Sequence, residues 1–515
     1  MISDILEKDI NKRKLLFRRG YLLTDINIRD LKEYPFYSNW NHEIIVNNLH
    51  LYYHYEQCVF FYEDNGIKIV IIGHVYNPIR MIQDEVEILK ALINAFRISE
   101  KNFHEILDEL SGIFVLLLLQ KGECSRIYQD CCGLMPAYYG RIDNNLYVSS
   151  HGQLIGDLCN LQLSEEANTY LNSRFYKIGI AQLCGNDSTF NELKMLSPNT
   201  FLDIEKLKIT RFFPREALQI TSATENIDLI CEILKNSLRI CSEKWKCWIS
   251  LSGGIDSKMT LAAANGLYDR FNYFSFISSS NERSDALAAH SICEAIGVTH
   301  EIIQIPESEK DITDFEEIAA IMDHNQAYIR RKYGNDARKR VFLTNLDKIE
   351  VEIKSHVSEV GRAFYYKKLG KKSFNMPLSP RNMSNLAKRN MFNRKVLHRM
   401  DSSFSEFIKN TKFGHFPAGY DECDMFYWEN RLPMWGSLVK QSFDISHDTT
   451  IIYNNRVLLK LFLQAPLVAR IKDTLQKEII FKLNKQISEL DISVDNEMKK
   501  KYRIMIEKFF YTLNA

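Results

Sequence analysis

Trp248-Ile-Ser250-Leu251-Ser252-Gly253-Gly254-Ile-Asp256-Ser257-Lys258-Met-Thr260 is the stretch whose reading decides the fold. An apolar run with Trp and Ile predicts a buried strand, and the pattern from Lys258 through Leu261 to Ala264 predicts a helix. Between them, two adjacent glycines permit backbone angles that other residues resist and let a ligand come close to the main chain. The amides of such a turn and the free N–H groups of the next helix converge on one spot, which the helix dipole makes attractive to an anion. Ser252 and Ser257 add hydroxyl donors. Asp256 sets a carboxylate beside the anion, where Mg2+ would be wanted, and Lys258 reads as a helix-face lysine. The spacing of the Walker-type loop, G-x-x-x-x-G-K-[ST], is absent.

Composition bounds the rest. A chain of 515 residues is long enough for two or more domains with self-sufficient cores. Its 66 Lys+Arg against 65 Asp+Glu leave a formal charge of +1, which offers no case for nucleic acid or an acidic membrane as a partner. Local basic runs, Arg330-Arg331-Lys332 and Lys371-Lys372, read as solvated surface. Eleven cysteines follow no metal-type pairing, so reduced thiols in a cytoplasmic protein are expected. The first residues lack the apolar core of a signal peptide, and apolar runs such as Ile113 to Leu119 are too short to span a bilayer. No internal repeat or low-complexity tract is present.

Residues 1–215 are strand-rich, with β-type runs at 57–62, 67–72, 112–119 and 145–149 bounded by turns such as Asp64-Asn65-Gly66. Helices are expected over 84–96 and 103–110. Residues 216–515 alternate: helix 226–240, the Trp248 strand, strand 271–277, helix 286–296 capped by Ser284 or Asp285 and ended by Gly297, then strand 299–305. Alternation predicts a parallel sheet with ligands beyond its carboxyl edge.

The stretch Ser252 to Ser257 resembles the pyrophosphate loop, S-G-G-x-D-S, of the ATP pyrophosphatase families. Upstream, Leu110-Ser-Gly112-Ile-Phe-Val-Leu, Tyr128-Gln-Asp130-Cys-Cys-Gly133-Leu-Met-Pro136-Ala-Tyr138-Tyr139 and Leu193 to Phe213 resemble, in order, the glutaminase domain of class B asparagine synthetases. The resemblance implies an α/β plus α+β chain. Its first part would be an Ntn-type αββα sandwich at 1–215, its second a parallel-sheet ATP pyrophosphatase domain with a helical C-terminal part at 216–515. It also implies departures. The family's N-terminal cysteine nucleophile is replaced by Ile2, and the first cysteine, Cys58, falls in a predicted strand. Ile72-Gly73-His74-Val75-Tyr76-Asn77 puts Ile72 where the family has an oxyanion-hole Asn, and Glu85-Val86-Glu87 stands for its glutamine-gripping D-T-E. Without the thiolate no acyl-enzyme forms by that route, so an inactive glutaminase domain is expected.

In the second domain the resemblance assigns nucleotide contacts to Ser250, Leu251, Ser252, Gly253, Gly254, Asp256 and Ser257, and the adenine edge to backbone groups of Phe276, Ile277 and Ser278. Glu352 to Tyr366 sits where the family carries a Gly-rich phosphate-side loop, of which Gly361 alone remains. Asp256 and Glu359 would hold Mg2+, with Arg362 neutralising the departing pyrophosphate. Residues 371–425 are expected to be a helix–loop segment that covers the site. Tyr427 to Gly436, Ser442 to Asp444 and Tyr453 to Leu459 resemble later family helices; they would be packing core, or a carboxylate pocket using Glu429 and Arg431. The family's catalytic lysine has no clear counterpart, with Lys477 and Lys482 as candidates.

These readings make an ATP-dependent amide-forming ligase that adenylates a peptide or small-molecule carboxylate and joins it to an amine, with ATP and Mg2+ and without glutamine hydrolysis. Lasso-peptide cyclases and β-lactam synthetases share that architecture. A non-catalytic nucleotide-binding paralogue is the alternative, and a tRNA-modifying enzyme is weaker still. Homodimerisation is allowed.

Overall fold

The computed structural model describes residues 2–28, 37, 39–46, 48–120, 125–172, 182–329, 335–370, 377–387, 394–490, 492 and 505. Both basic runs, 330–332 and 371–372, lie outside them.

Among the described residues, twelve strands build the first half: β1 (Tyr21–Thr24), β2 (Trp40–Val46), β3 (Leu49–His54), β4 (Val59–Asp64), β5 (Ile67–Tyr76), β6 (Ser111–Gln120), β7 (Arg126–Gln129), β8 (Tyr138–Ile142), β9 (Asn145–Ser149), β10 (Lys194–Met195), β11 (Thr200–Asp203) and β12 (Lys208–Arg211). They form two six-stranded sheets, ordered β10-β8-β9-β1-β3-β2 and β12-β11-β7-β6-β5-β4. All their pairings are antiparallel. β5 and β6 are buried along nearly their whole length because the sheets are covered on both sides. Helix Glu85–Ile98 packs on β4 and β5, and helix Gly152–Leu158 on β9, giving the expected αββα layering. Asp143 and Asn144, both with positive φ, make the tight hairpin between β8 and β9, the turn whose twist suits paired strands.

The second half is a five-stranded parallel sheet, β13 (Cys247–Ser250), β14 (Asn272–Ile277), β15 (His300–Gln304), β16 (Val351–Ile353) and β17 (Asp448–Thr450), ordered β15-β14-β13-β16-β17. Helices cover it and make up the remaining C-terminal part, so the expected fold class holds. The chain leaves β13 toward β14 and β15 on one side, then returns to β16 and β17 on the other. The switch of direction falls between β13 and β16, and a crevice opens beyond the carboxyl ends of strands at such a point.

Several boundaries differ from expectation. Cys58 is exposed and precedes β4 instead of lying within it. The helix after β13 begins at Ile255, three residues early, so Asp256 and Ser257 occupy its first turn. The helix after β14 begins at Ser280 and is capped by Ser279, whose side chain accepts from the Glu282 amide; Ser284 and Asp285 lie inside it. Gly297 follows that helix with φ +73°, as its capping role requires. Of the segment 371–425, three helices are described, Pro380–Ala387, Arg394–Thr411 and Glu422–Phe426; residues 371–376 and 388–393 fall outside the described ones.

The halves share a polar seam. Arg211 at the end of β12 forms a bidentate pair with the fully buried Glu429 (2.6 and 2.8 Å), and Asn199 donates to the same carboxylate at 3.0 Å. Asn454 donates to the Gly112 carbonyl (2.6 Å) and Asp130 (2.9 Å), Asn455 to the Glu109 carbonyl (2.8 Å), and Trp428 to the Cys131 carbonyl (2.8 Å). Ile2 opens a short helix, Ile2–Lys8, that packs on helix Phe315–Asn325 of the second half. The ten described cysteines are free thiols. Among the described residues, no helix is long and apolar enough to cross a membrane.

Candidate functional site

The site lies at the switch point. The turn after β13 leads from Leu251 to Gly254 and into the helix Ile255–Ala263, while the segment after β16 runs from Lys354 through Arg362. Parallel pairing of β13 with β16, Ile249 opposite Ile353, delivers both to the same edge.

Within the turn the Ser252 and Ser257 hydroxyls are 2.9 Å apart, and the Gly254 amide donates to Ser252 Oγ at 3.3 Å. Gly254 has φ −74°, an ordinary value, so the expectation that it takes up an angle denied to other residues does not hold there. A Cβ on it would meet only Ser252 Oγ, at 3.4 Å. What the glycine leaves is open space in front of the main chain. Ser250 touches the neighbouring strand, donating to the Ile353 carbonyl at 3.4 Å, and the Leu251 amide donates to the Phe274 carbonyl at 2.8 Å. Lys258 donates to the Ile492 carbonyl.

Asp256 is the centre of a charged cluster. Ser358 donates to one carboxylate oxygen and Arg362 Nη1 to the other, the latter at 2.5 Å. Arg362 also grips Asp473 through Nε (2.7 Å) and Nη2 (3.3 Å), and Lys367 donates to Asp473 as well. Glu359 accepts from the Tyr427 hydroxyl. Below the cluster, Tyr453 and Thr260 hydroxyls lie 2.8 Å apart, and Ser355 donates to Thr260 at 2.9 Å. Burial pushes the Asp256 pKa up to about 6, Glu359 and Asp473 add to the rise, and Arg362 and Ser358 oppose it. Three carboxylates thus face two cations, an excess of negative charge that a divalent ion arriving with a nucleotide would offset. Mg2+ needs few protein carboxylates because it keeps several waters. Among the described residues, no group of three or more His, Cys, Asp or Glu forms a metal cluster.

The remaining expected contacts are placed as follows. Phe276 is half-buried with Lys339 Nζ 4.1 Å from its ring centre. The Ile277 carbonyl accepts from the Ile305 amide (2.9 Å) and Gln304 (3.2 Å), and the Ser278 amide donates to Glu282 (2.8 Å). The main-chain groups expected at the adenine edge are therefore already paired internally. Gly361 does not face the site as a phosphate-side glycine would: its Cβ would stand 2.4 Å from that of Phe462, so close packing against helix Arg456–Gln464 requires it. Glu429 belongs to the seam with Arg211 and Trp428 to the core, whereas Arg431 lies among Phe364, Tyr427 and Trp435. Lys477 and Lys482 are exposed, the latter paired with Asp228, as on an ordinary amphipathic helix face.

Sequence reasoning missed Ser358, Lys367, Asp473 and Asp285. Asp285, expected as a helix cap, lies within reach of the Gly253 amide; burial raises its pKa and that amide opposes the rise. Its position beyond β14, next to β13, is the signal that could have found it. Nothing local marks Asp473, 111 positions from its partner Arg362.

The place where the family's glutaminase pocket would lie is different in kind. Ile72 is fully buried in β5, between Val59 and Val115. Glu85 pairs with Lys244 of the second half at 2.7 Å. Arg19, Glu56, Cys58, His74, Lys440 and Asp448 close round a cavity of about 10 Å3, space for about one water.

Residues 232–333 match the family model for asparagine synthase, which supports that family for this part of the chain. No curated protein sequence matches the chain. Two solved structures are similar to it. One is glutamine phosphoribosylpyrophosphate amidotransferase from B. subtilis complexed with ADP and GMP, with 12% identity over 55% of this chain and 59% of that one and a TM-score of 0.22. The other is described as the allosteric regulatory enzyme of purine biosynthesis, with 11% identity, coverage of 49% and 58%, and a TM-score of 0.23. The chain spans less than two thirds of either structure's length.

Proposed function

We propose that the protein is an ATP-dependent, AMP-forming carbon–nitrogen ligase that adenylates a substrate carboxylate and passes the acyl group to an amine, without hydrolysing glutamine. The observation that carries this reading is the meeting, at one switch point, of an open Ser252–Gly254 turn with the Asp256–Arg362–Glu359 cluster.

The substrate carboxylate oxygen attacks the α-phosphorus, and the bond from that phosphorus to the bridging oxygen breaks. Pyrophosphate leaves onto the turn amides and the Ser252 and Ser257 hydroxyls, and the mixed anhydride stays behind. Arg362, released from Asp256, follows the charge building on the leaving group; its fork of donors suits a phosphate. Mg2+ carried in by ATP would be held near Asp256 and Glu359, where it supplies charge neutralisation. The base would stack near Phe276, because the main-chain groups of Ile277 and Ser278 are occupied. An amine nitrogen then attacks the acyl carbon and AMP departs. The cavity beside Cys58, with room for about one water, is too small for a glutamine side chain and supports an amine that comes from solution or from the substrate itself. A cytoplasmic setting fits the free thiols.

A second reading, a nucleotide-binding but non-catalytic protein, is favoured by one observation: both oxygens of Asp256 already have partners. ATP–pyrophosphate exchange with a panel of acids separates the two. Exchange that depends on an added acid is the expected result; ATP binding with no exchange for any acid would overturn the ligase reading.

A further inference from the structure

The segment Tyr427–Gly436 winds as a π-helix with Pro433 inside it, rare winding that recurs at functional sites. With i to i+5 hydrogen bonding, residues four or five apart line up, so Tyr427, Arg431 and Trp435 share one face. The consequence is visible in the contacts. The Arg431 guanidinium lies 4.9 Å from the ring centre of Phe364, 5.5 Å from Trp435 and 5.8 Å from Tyr427. Arg431 is 9% exposed, its buried Nε has no acceptor, and among the described residues no carboxylate or carbonyl accepts from it.

A guanidinium N–H withdrawn from water, as Nε is, is costly unless an anion or hydrogen-bond acceptor meets it. Three rings offset part of that cost through their faces but accept no hydrogen bond in the plane of the fork. The other buried arginines nearby are not left this way: Arg362 holds Asp256 and Asp473, and Arg470 holds Asp424. A second orphan stands on the same wall, since His356 Nε2 is buried without a partner and its ring meets Trp435 edge-on at 6.2 Å. The wall is continuous with the site, for Tyr427 donates to Glu359 and Ser358, two residues beyond His356, donates to Asp256. His356, Glu359, Phe364 and Trp435, which surround the guanidinium, are each partly exposed.

We infer that Arg431 is a specificity-determining residue that receives an anionic group of the acyl substrate other than the carboxylate being activated, with His356 Nε2 as a second contact. This inference rests on the ligase reading. The substrate class it selects is acids with a second negative charge, a carboxylate or a phosphate, because a planar fork pairs bidentately with either.

The test uses the full-length protein and a dicarboxylate series from malonate to adipate, each beside its monomethyl ester, together with the matching phosphono-acids. ATP–pyrophosphate exchange and quenching of Trp435 fluorescence are read in parallel, with Trp435→Phe to assign the signal. Wild type is expected to favour at least one doubly charged acid over its monoester by tenfold or more in kcat/KM. Arg431→Gln should raise KM for that acid by tenfold or more, leave kcat within about threefold, and leave the monoester unchanged. Arg431→Lys should recover part of the loss for phosphonate more than for carboxylate. A wild type that exchanges with acids but shows no preference for the second charge, or an Arg431→Gln variant that keeps the preference, overturns the inference and leaves the ligase reading standing. Quenching that depends on Arg431 without exchange for any acid supports the anion site and overturns the ligase reading.

Discussion

Gly73 and Gly254 stand in corresponding circumstances, each close to the chemistry that the resemblance implies for its half of the chain. Their surroundings are opposite. Gly73, in β5, has φ +114°, and a Cβ there would lie 2.2 Å from the Ile113 carbonyl oxygen. Gly254 has an ordinary φ and nothing in front of it but a hydroxyl at 3.4 Å. The first glycine is required by the backbone whether or not any ligand binds. The second is not required by the fold, and its missing side chain leaves the turn open. The same contrast runs through both neighbourhoods: beside Gly73 the His74 ring is buried, 3.7 Å from Asp448 of the second half, while beside Gly254 the polar groups remain at an edge.

The strongest attempt to break this contrast is Asp256→Ala, which should lower acid-dependent pyrophosphate release by about 10^3-fold or more while melting stays near wild type. Removing Glu429 tests the seam: Glu429→Ala leaves Arg211 buried without its anion and should cost about 3–5 kcal/mol in denaturant unfolding. The glycines themselves form a paired test. Gly73→Ala should destabilise by more than about 3 kcal/mol, from strain plus a backbone clash. Gly254→Ala should leave the melting temperature unchanged yet weaken MgATP binding about tenfold, roughly 1.4 kcal/mol; a change in stability instead would erase the distinction drawn between them.

Acidity sharpens the comparison further. Asp256 moves from an ordinary 3.8 to about 6 in the folded protein, chiefly through burial. The folded state therefore binds more protons than the unfolded one between about pH 4 and pH 6, and this group's contribution to stability of the free protein falls as pH rises through that window. Nucleotide binding should run the other way, MgATP affinity rising about tenfold per unit up to about pH 6 and levelling above it, as titration calorimetry would show, with the limb absent in Asp256→Asn. The smallest expected effect is that of Cys58→Ala, less than twofold on exchange, with no glutaminase activity detected before or after by ammonia release.

Much of this was legible because the carrying signals are local. Ser252 to Ser257 sits within six positions, and the alternation of strand and helix around it predicts the sheet that the structure has. Helix starts were displaced by physical competition: Ile255 and Ser280 join their helices early because Gly254 and Ser279 already end the extended chain. The pairing of Arg362 with Asp473 and of Arg211 with Glu429 was not legible, since each joins segments more than a hundred positions apart. The aromatic setting of Arg431 was half legible: its neighbours were adjacent in sequence, but only a π-helical turn aligns Tyr427 and Trp435 with it.

Asn454 and Asn455 reach across to main-chain carbonyls at Gly112 and Glu109, and Trp428 to one at Cys131. Without the first two hundred residues those donors would be left without acceptors, so the first half cannot be trimmed away at no cost to the second.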